Sequence, residues 1–357
     1  DVALDATSTL VSASTATVKP QTASRTIDLG TNSGGSLSLT NAELDRFNAG
    51  TINIGDANSG TITVSDSINR AATTNLVLTT GGSINFSGSS ALLDANGGNV
   101  TLSAGSGAIT SGTGTKDVRA NGVTLTGGAS GIGSNINPFI TEATSLTAIV
   151  NSNGPSYLSE IDTVNVVSLS NHTGAVNLMS GTFRIAPGGG INGYSPVFID
   201  SAAVLQLNGN TLYLNSPSGS GRITNDSVIA GTLQVYNDFS RTFSGVLGGP
   251  GADDNNFGLT ILGGPGRTLT LTGTNTYTGA TAVNGSTLAI NGSVTSNVIV
   301  GTSGTLNGSG TITGNVSGTG TFSPGNSPGV MTINGNFTPS GTVNFEVNDA
   351  WTTAGTD

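Results

Sequence analysis

Cysteine is absent from this 357-residue chain, and charged and aromatic residues are scarce. The lack of cysteine excludes disulfides and thiolate metal sites, and it fits a protein that crosses oxidising compartments unfolded. Charged residues make up only 8% of the chain and aromatic residues 5%, whereas 35% of the residues are hydrophobic. Disordered segments combine high charge with few apolar residues, so this composition argues for a folded protein.

Positive charge is especially scarce. The chain has 10 Lys and Arg but 20 Asp and Glu, so its net charge is −10. The cations are scattered and form no basic stripe, so we expect no nucleic-acid partner and no attraction to anionic membranes. Apolar runs stay below the roughly 18 residues of a membrane span, so we expect no direct membrane insertion by this segment. The start at Asp1, without a signal peptide, is typical of a piece cut from a longer precursor.

Glycine is abundant, with 55 residues, and it disfavours helix by about 1 kcal/mol at each interior position. Apolar and polar residues alternate between Gly, Asn, Ser and Asp, as in Gly60–Asp66 and Val204–Asn215, which is typical of short strands. A Gly-Thr-apolar signature recurs at Gly50–Ile52, Gly60–Ile62, Gly181–Phe183, Gly231–Leu233, Gly304–Leu306, Gly310–Ile312, Gly320–Phe322 and Gly341–Val343.

Such recurrence predicts a stacked all-β architecture. A sandwich or barrel would need longer strands and hairpin turns, so the short strands favour a parallel β-helix, also called a β-solenoid. With about 20 residues per coil, the chain would form roughly 15–18 coils. We expect one narrow core lined by Leu271, Val283, Leu288, Ile290, Val300, Leu306, Ile312, Phe322, Ile333, Phe337 and Phe345.

The sequence divides into three stretches. Residues 1–133 and 231–357 carry regular repeats, whereas 134–230 is less regular and predicts an irregular solenoid region with a loop insertion. One helix-like segment, Thr40–Gly50, has a Thr and a Glu at capping-box spacing and a glycine that would end it.

The last stretch, about Gly231–Asp357, resembles the passenger-associated β-strand repeat of bacterial autotransporters. The resemblance lies in RTLTLTGTNTYTGATAVNGSTLAING and GSGTITGNVSGTGTFSPGNSPGVMTINGNFTPSGTVNFEV, in which Ser323–Gly329 (SPGNSPG) is the most specific part. Residues about Thr26–Ile68 resemble modules of large filamentous-haemagglutinin-type surface proteins. The two segments cover about half of the chain.

This resemblance implies a right-handed parallel β-helix that is secreted and displayed on a bacterial cell surface. Passengers of this family are commonly adhesins, aggregation factors or structural fibres, and a minority carry an enzyme domain. The implied partners are cell-surface or matrix components, or other copies of the chain. The sequence stops at TTAGTD, where such repeats usually continue, so we expect a fragment whose outer-membrane anchor lies in another segment.

Few groups of residues in the sequence could catalyse a reaction or bind a metal ion. His172, the one histidine, lies in SLSNHTGAV, which is not a nucleophile elbow. Two acidic pairs, Glu160 with Asp162 and Asp253 with Asp254, could supply the two carboxylates of a polysaccharide-cleaving site. Asp253 and Asp254, in DDNN, are also weak calcium candidates.

Three functions remain open at this point. We expect a non-enzymatic structural or adhesive surface rod without cofactors, which would display threonine, asparagine and the aromatics Tyr194, Tyr213 and Tyr236. A self-assembling filament or surface-layer subunit is the alternative, because the open end of a β-helix can pair with another molecule. A polysaccharide-active enzyme is the third hypothesis.

Overall fold

The computed structural model describes residues 10–11, 14–192, 194–325 and 329–345. These residues are almost entirely β, and their parallel strands stack into a β-solenoid of about 13 turns. The predicted fold class is therefore confirmed, but the expected number of coils was too high. Coil length varies: Val283 pairs with Val300, whereas Leu233 pairs with Leu259 further along the chain.

The chain forms two compact units, Asp1–Leu205 and Gln206–Asp357. The elements that begin in the first unit are β1 (Leu10–Val11), β2 (Thr15–Val18), β3 (Ile27–Leu29), β4 (Leu37–Leu39), α1 (Asn41–Leu44), β5 (Phe47–Asn48), β6 (Thr51–Ile54), β7 (Ile62–Val64), β8 (Ser67–Asn69), β9 (Asn75–Thr80), β10 (Ile84–Phe86), β11 (Leu92–Asp94), β12 (Val100–Ala104), β13 (Ile109–Thr110), β14 (Val118–Gly127), β15 (Phe139–Val150), β16 (Ser156–Asn171), β17 (Val176–Ile191) and β18 (Pro196–Gln206).

The described elements that begin in the second unit are all strands. They are β19 (Thr211–Gly219), β20 (Arg222–Thr224), β21 (Gly231–Asn237), β22 (Arg241–Phe243), β23 (Val246–Leu247), β24 (Phe257–Gly263), β25 (Thr268–Leu271), β26 (Thr274–Asn275), β27 (Thr281–Val283), β28 (Thr287–Ile290), β29 (Ser293–Val294), β30 (Val298–Val300), β31 (Thr305–Gly308), β32 (Thr311–Ile312), β33 (Val316–Gly318), β34 (Thr321–Pro324), β35 (Thr332–Ile333), β36 (Phe337–Pro339) and β37 (Thr342–Val343).

Apolar and polar residues alternate along the strands, and the apolar residues that point inward form the core of each unit. In β28, for example, Leu288 is fully buried and lies in register with Leu269 and Leu306 of the coils on either side. Apolar side chains at equivalent inward positions therefore stack into columns, and burial of this apolar surface stabilises the fold. The Gly-Thr-apolar signature behaves as predicted, since its third residue is buried at every occurrence except Val343, which is half-buried.

Three members of the predicted core are not buried. Ile333 is only half-buried, and Phe337 and Phe345 are 38% and 72% exposed. The strands β36 and β37 pair with β33 and β34 of the preceding coil, and within residues 329–345 no further coil covers their inner side chains. These residues line an apolar concavity of about 170 Å³ together with Leu306, Phe322, Pro324 and Met331.

The short helix is confirmed, but its predicted end is wrong. Thr40 caps α1: its hydroxyl accepts the Glu43 backbone N–H, and the Glu43 carboxylate accepts the Thr40 N–H. The helix ends at Leu44, with Asp45 as its C-cap, well before Gly50. Leu44 is fully buried and Phe47 resumes strand structure, so tertiary packing ends the helix early.

The stretch 134–230, for which the sequence predicts a loop insertion, contains the longest strands that the structure describes. Residues 139–191 instead form the long strands β15, β16 and β17, which pair in parallel with one another. The pairing of β16 with β15 and with β17 contains register shifts. The three-stretch organisation stays a prediction, and residues 1–9 and 346–357 of its outer stretches lie outside the described residues.

Candidate functional site

Charged side chains collect on one face of the first unit. Asp94 of β11, Arg119 of β14 and Glu142 of β15 lie side by side in the strand register. Arg119 donates from Nη1 to Asp94 Oδ2 over 2.9 Å and from Nε to Glu142 Oε2 over 3.3 Å. Lys116 also donates to Glu142. These residues surround a depression that Asp162 of β16 also lines and behind which Glu160 of β16 is buried, and we call this depression the charged cleft.

The cleft is an open depression of about 340 Å³. Its charged lining consists of Arg119, Glu142 and Asp162, and its polar lining includes Asn121 and Thr144. The hydrogen bond from Lys116 holds the pKa of Glu142 below its usual value, and Arg119 lowers that pKa further. Glu142 is therefore ionised near neutral pH and neutralised by its two cationic partners.

A β-bulge positions the two acidic residues of β16. Between the pairs Thr141–Glu160 and Ser145–Asn165, four residues of β16 face three of β15. On the opposite side, between the pairs Ser159–Ser180 and Thr163–Thr182, three residues of β16 face Gly181 alone. Leu158 and Glu160 both face inward in regular alternation, and the extra residues of the bulge then break this in–out alternation, so that Asp162 is exposed.

Gly181 is required by this bulge. Its φ of +88° lies in the left-handed region, and a Cβ built there would stand 2.1 Å from the Glu160 carbonyl oxygen. Any other residue would be strained by the backbone angle and would also collide with the neighbouring strand. Gly181 therefore permits the bulge that separates buried Glu160 from exposed Asp162.

Glu160 is 3% exposed, and both of its carboxyl oxygens have partners. Thr141 Oγ1 donates to Oε2 over 2.5 Å, and the Ala143 N–H donates to Oε1 over 3.1 Å. Burial raises the pKa of Glu160 to about 8, and the hydrogen-bonded Asp162 carboxyl group raises it as well, whereas the Thr141 and Ala143 donors lower it. Glu160 is therefore largely protonated at neutral pH and shares a hydrogen bond with Asp162.

A carboxyl group with a raised pKa beside a second carboxyl group is a feature that sites for acid–base cleavage of a glycosidic bond use. The sequence spacing predicts that Glu160 and Asp162 share one strand face, whereas in the structure Glu160 is buried and Asp162 is exposed. Only Asp162 lines the cleft, however, and Glu160 is enclosed behind it. A substrate in the cleft would touch Arg119, Glu142 and Asp162, whereas Glu160 would act through Asp162.

Sequence reasoning missed Asp94, Lys116 and Arg119, which complete the cleft. These residues are far apart in the chain and meet only because successive coils bring equivalent positions together. The recurrence of a charge at Asp94, Arg119 and Glu142, about one coil apart each time, is the signal that could have revealed the column.

The other candidate residues lie elsewhere. His172 is exposed in the turn after β16, and its backbone N–H donates to the Val150 carbonyl. Asp253 and Asp254 lie in the loop before β24, where Asp254 Oδ2 accepts the Gly251 N–H over 2.8 Å. Within the described ranges no three His, Cys, Asp or Glu side chains are grouped so as to hold a metal ion. The calcium site at Asp253 and Asp254 stays a prediction.

Comparisons with protein-family models, with curated proteins and with solved structures find no match to this chain. Among residues 10–11, 14–192, 194–325 and 329–345, no helix is long and apolar enough to cross a membrane.

Proposed function

We propose that this chain is part of a secreted bacterial surface protein with a structural or adhesive role. The observation that carries the proposal is the repetition of short hydroxyl side chains at outward positions of successive coils. In the second unit one such column consists of Thr268, Thr287, Thr305, Thr321 and Thr342. In the first unit Thr101, Thr124 and Thr147 form another.

Columns of this kind present a regular, uncharged surface that offers many weak contacts and little reactive chemistry. The cations of the charged cleft are paired with its carboxylates, so they stabilise the fold as well as facing solvent. Resemblance to autotransporter passengers and haemagglutinin-type modules supports display outside the cell, with cell-surface or matrix components as partners. The absence of cysteine is compatible with that export.

The proposal is tested by displaying the chain on a non-adherent bacterium through a fused outer-membrane anchor. Sedimentation would measure cell–cell aggregation, and retention on immobilised matrix components and on cultured cells would measure adhesion. The matched control is Leu288→Asp, displayed at the same density but defective in the core of the second unit. We expect the native chain to raise at least one of these readouts above the control. Equal behaviour in all of them would contradict the proposal.

A polysaccharide-cleaving activity is the second candidate, and the raised pKa of Glu160 beside Asp162 is the observation in its favour. Because Glu160 is enclosed, we expect no reducing ends to be released from a panel of neutral and acidic polysaccharides. Turnover that disappears in Glu160→Gln and in Asp162→Asn would establish the enzyme instead. Association of copies, the remaining alternative, stays a prediction that light scattering on the isolated chain can test.

A further inference from the structure

Two exposed tyrosines lie on a flat sheet face of the second unit. Tyr213 of β19 is 53% exposed and Tyr236 of β21 is 47% exposed. Tyr213 lies in register with Gln234, two residues before Tyr236 on the same side of β21. Adjacent strands are about 4.8 Å apart and two residues span about 6.6 Å, so the two Cα atoms lie on a diagonal of about 8 Å.

The face extends onto the next coil. Gln234 pairs with Thr260 and Tyr236 pairs with Leu262, both on β24. We call the outward positions of these three strands the tyrosine face: Thr211, Tyr213, Thr232, Gln234, Tyr236, Thr260 and Leu262.

The tyrosine face rests on a rigid base. The inward neighbours Leu212, Leu214, Leu233 and Val235 are all buried, and the pairing of β19, β21 and β24 runs without a register shift. The tyrosine rings are therefore held on ordered backbone, and a tyrosine loses little side-chain entropy when a partner orders it. A ligand can use both rings at small conformational cost.

The side chains of the tyrosine face restrict the chemical class of partner that it can bind. Its seven side chains include no Asp, Glu, Lys, Arg or His, so the face offers no charge complementarity to a polyanion or a polycation. Each tyrosine combines an apolar ring with a hydroxyl, and Gln234 and the threonines add neutral donors and acceptors. A sugar ring has the complementary form, with an apolar C–H face and hydroxyl groups at its edge.

We propose that the tyrosine face binds an uncharged glycan chain. Sugar rings stack on Tyr213 and Tyr236, and the Gln234 amide and the Thr232 and Thr260 hydroxyls hydrogen-bond to the sugar hydroxyls. This inference rests on the proposed adhesive function and names the class of partner on this face.

Soluble neutral polysaccharides serve as the probes: a linear β-glucan, a mannan and a galactan, with alginate as the polyanion. Binding is measured by affinity electrophoresis and by titration calorimetry. The variants are Tyr213→Ala, Tyr236→Ala and the double variant. Controls are Tyr213→Phe, which keeps the ring, and Tyr194→Ala, which removes an exposed tyrosine of the first unit.

We expect the native chain to bind at least one neutral polysaccharide, and the double variant to bind it roughly tenfold or more weakly. Tyr213→Phe and Tyr194→Ala should stay close to the native affinity. Binding should change little between about 0.05 and 0.5 M salt, since no charge is involved. All variants should keep the native circular dichroism spectrum, because the altered side chains point outward.

Three results would overturn the inference: no binding to any neutral polysaccharide, binding to alginate alone, or equal loss in Tyr194→Ala. The displayed-cell assay separates this failure from failure of the proposed function. If the double variant still aggregates or adheres like the native chain, the adhesive role stands and the tyrosine face is not its binding site. If the native chain itself neither adheres nor binds a polysaccharide, both proposals fail.

Discussion

At the scale of single residues, Glu160 and Asp162 show how one bulge gives two neighbouring acids different environments. In a regular strand, Glu160 and Asp162 would share one face and one environment. Glu160 continues the inward alternation of Leu158, and the register shift beside Gly181 then leaves Asp162 in solvent. Burial then raises the pKa of Glu160 to about 8, so this side chain is largely protonated at neutral pH.

Glu160 links stability to pH. Its pKa in the folded protein is about 8, above its ordinary value of 4.5, so the folded state holds a proton that the unfolded chain releases. The free energy of unfolding should therefore fall as pH rises from about 4.5 to about 8, and this contribution should level off above that pH. Glu160→Gln, which mimics the protonated form, should flatten this slope and be more stable than the native chain at about pH 8.

Urea unfolding at a series of pH values measures this effect. The matched control is Glu142→Gln, which alters an acid whose pKa is lowered by Lys116 and should leave the slope between pH 5 and 8 in place. An unchanged slope in Glu160→Gln would contradict the assignment of the buried proton.

Gly181 gives a second prediction at this scale. Gly181→Ala introduces a Cβ at positive φ against the Glu160 carbonyl, so we expect a loss of about 2 kcal/mol or more in the free energy of unfolding. Gly190→Ala is the control, because nothing lies within 4 Å of its added Cβ. Chemical denaturation of both variants makes the comparison, and equal stability would refute the role given to the bulge.

At the scale of strands, the Gly-Thr-apolar signature explains why so many short segments form the same structure. Its threonine begins a strand on the outer face, and its apolar residue enters the core, as at Thr305 and Leu306. The signature therefore predicts strand position and inward direction. It does not predict coil length, because the corners between strands differ in length from coil to coil.

Leu288→Asp tests the inward direction. Leu288 is fully buried between Leu269 and Leu306, so the substitution would bury an unpaired charge and should cost more than about 4 kcal/mol. Thr270→Asp, at an outward position of β25, should change stability by less than about 1 kcal/mol. Thermal melting followed by circular dichroism distinguishes them, and an unchanged melting temperature for Leu288→Asp would show that the inward assignment is wrong.

At the scale of the whole molecule, a solenoid is stabilised mainly by contacts between neighbouring coils. Damage in one coil should therefore stay local. Native-state proteolysis of Leu288→Asp should digest the unit Gln206–Asp357 first and leave a resistant fragment within Asp1–Leu205. Loss of both units at the same rate would show that they unfold together.

The sequence alone determined the all-β solenoid, because glycine corners and period-two alternation recur along most of the chain. It also determined most inward positions and the capping box at Thr40, since these depend on residues close in sequence. Only the tertiary structure decided the charged cleft and the tyrosine face. Asp94, Arg119 and Glu142 meet, as do Tyr213 and Gln234, only through inter-coil register, and that register depends on coil lengths and bulges set by packing between coils.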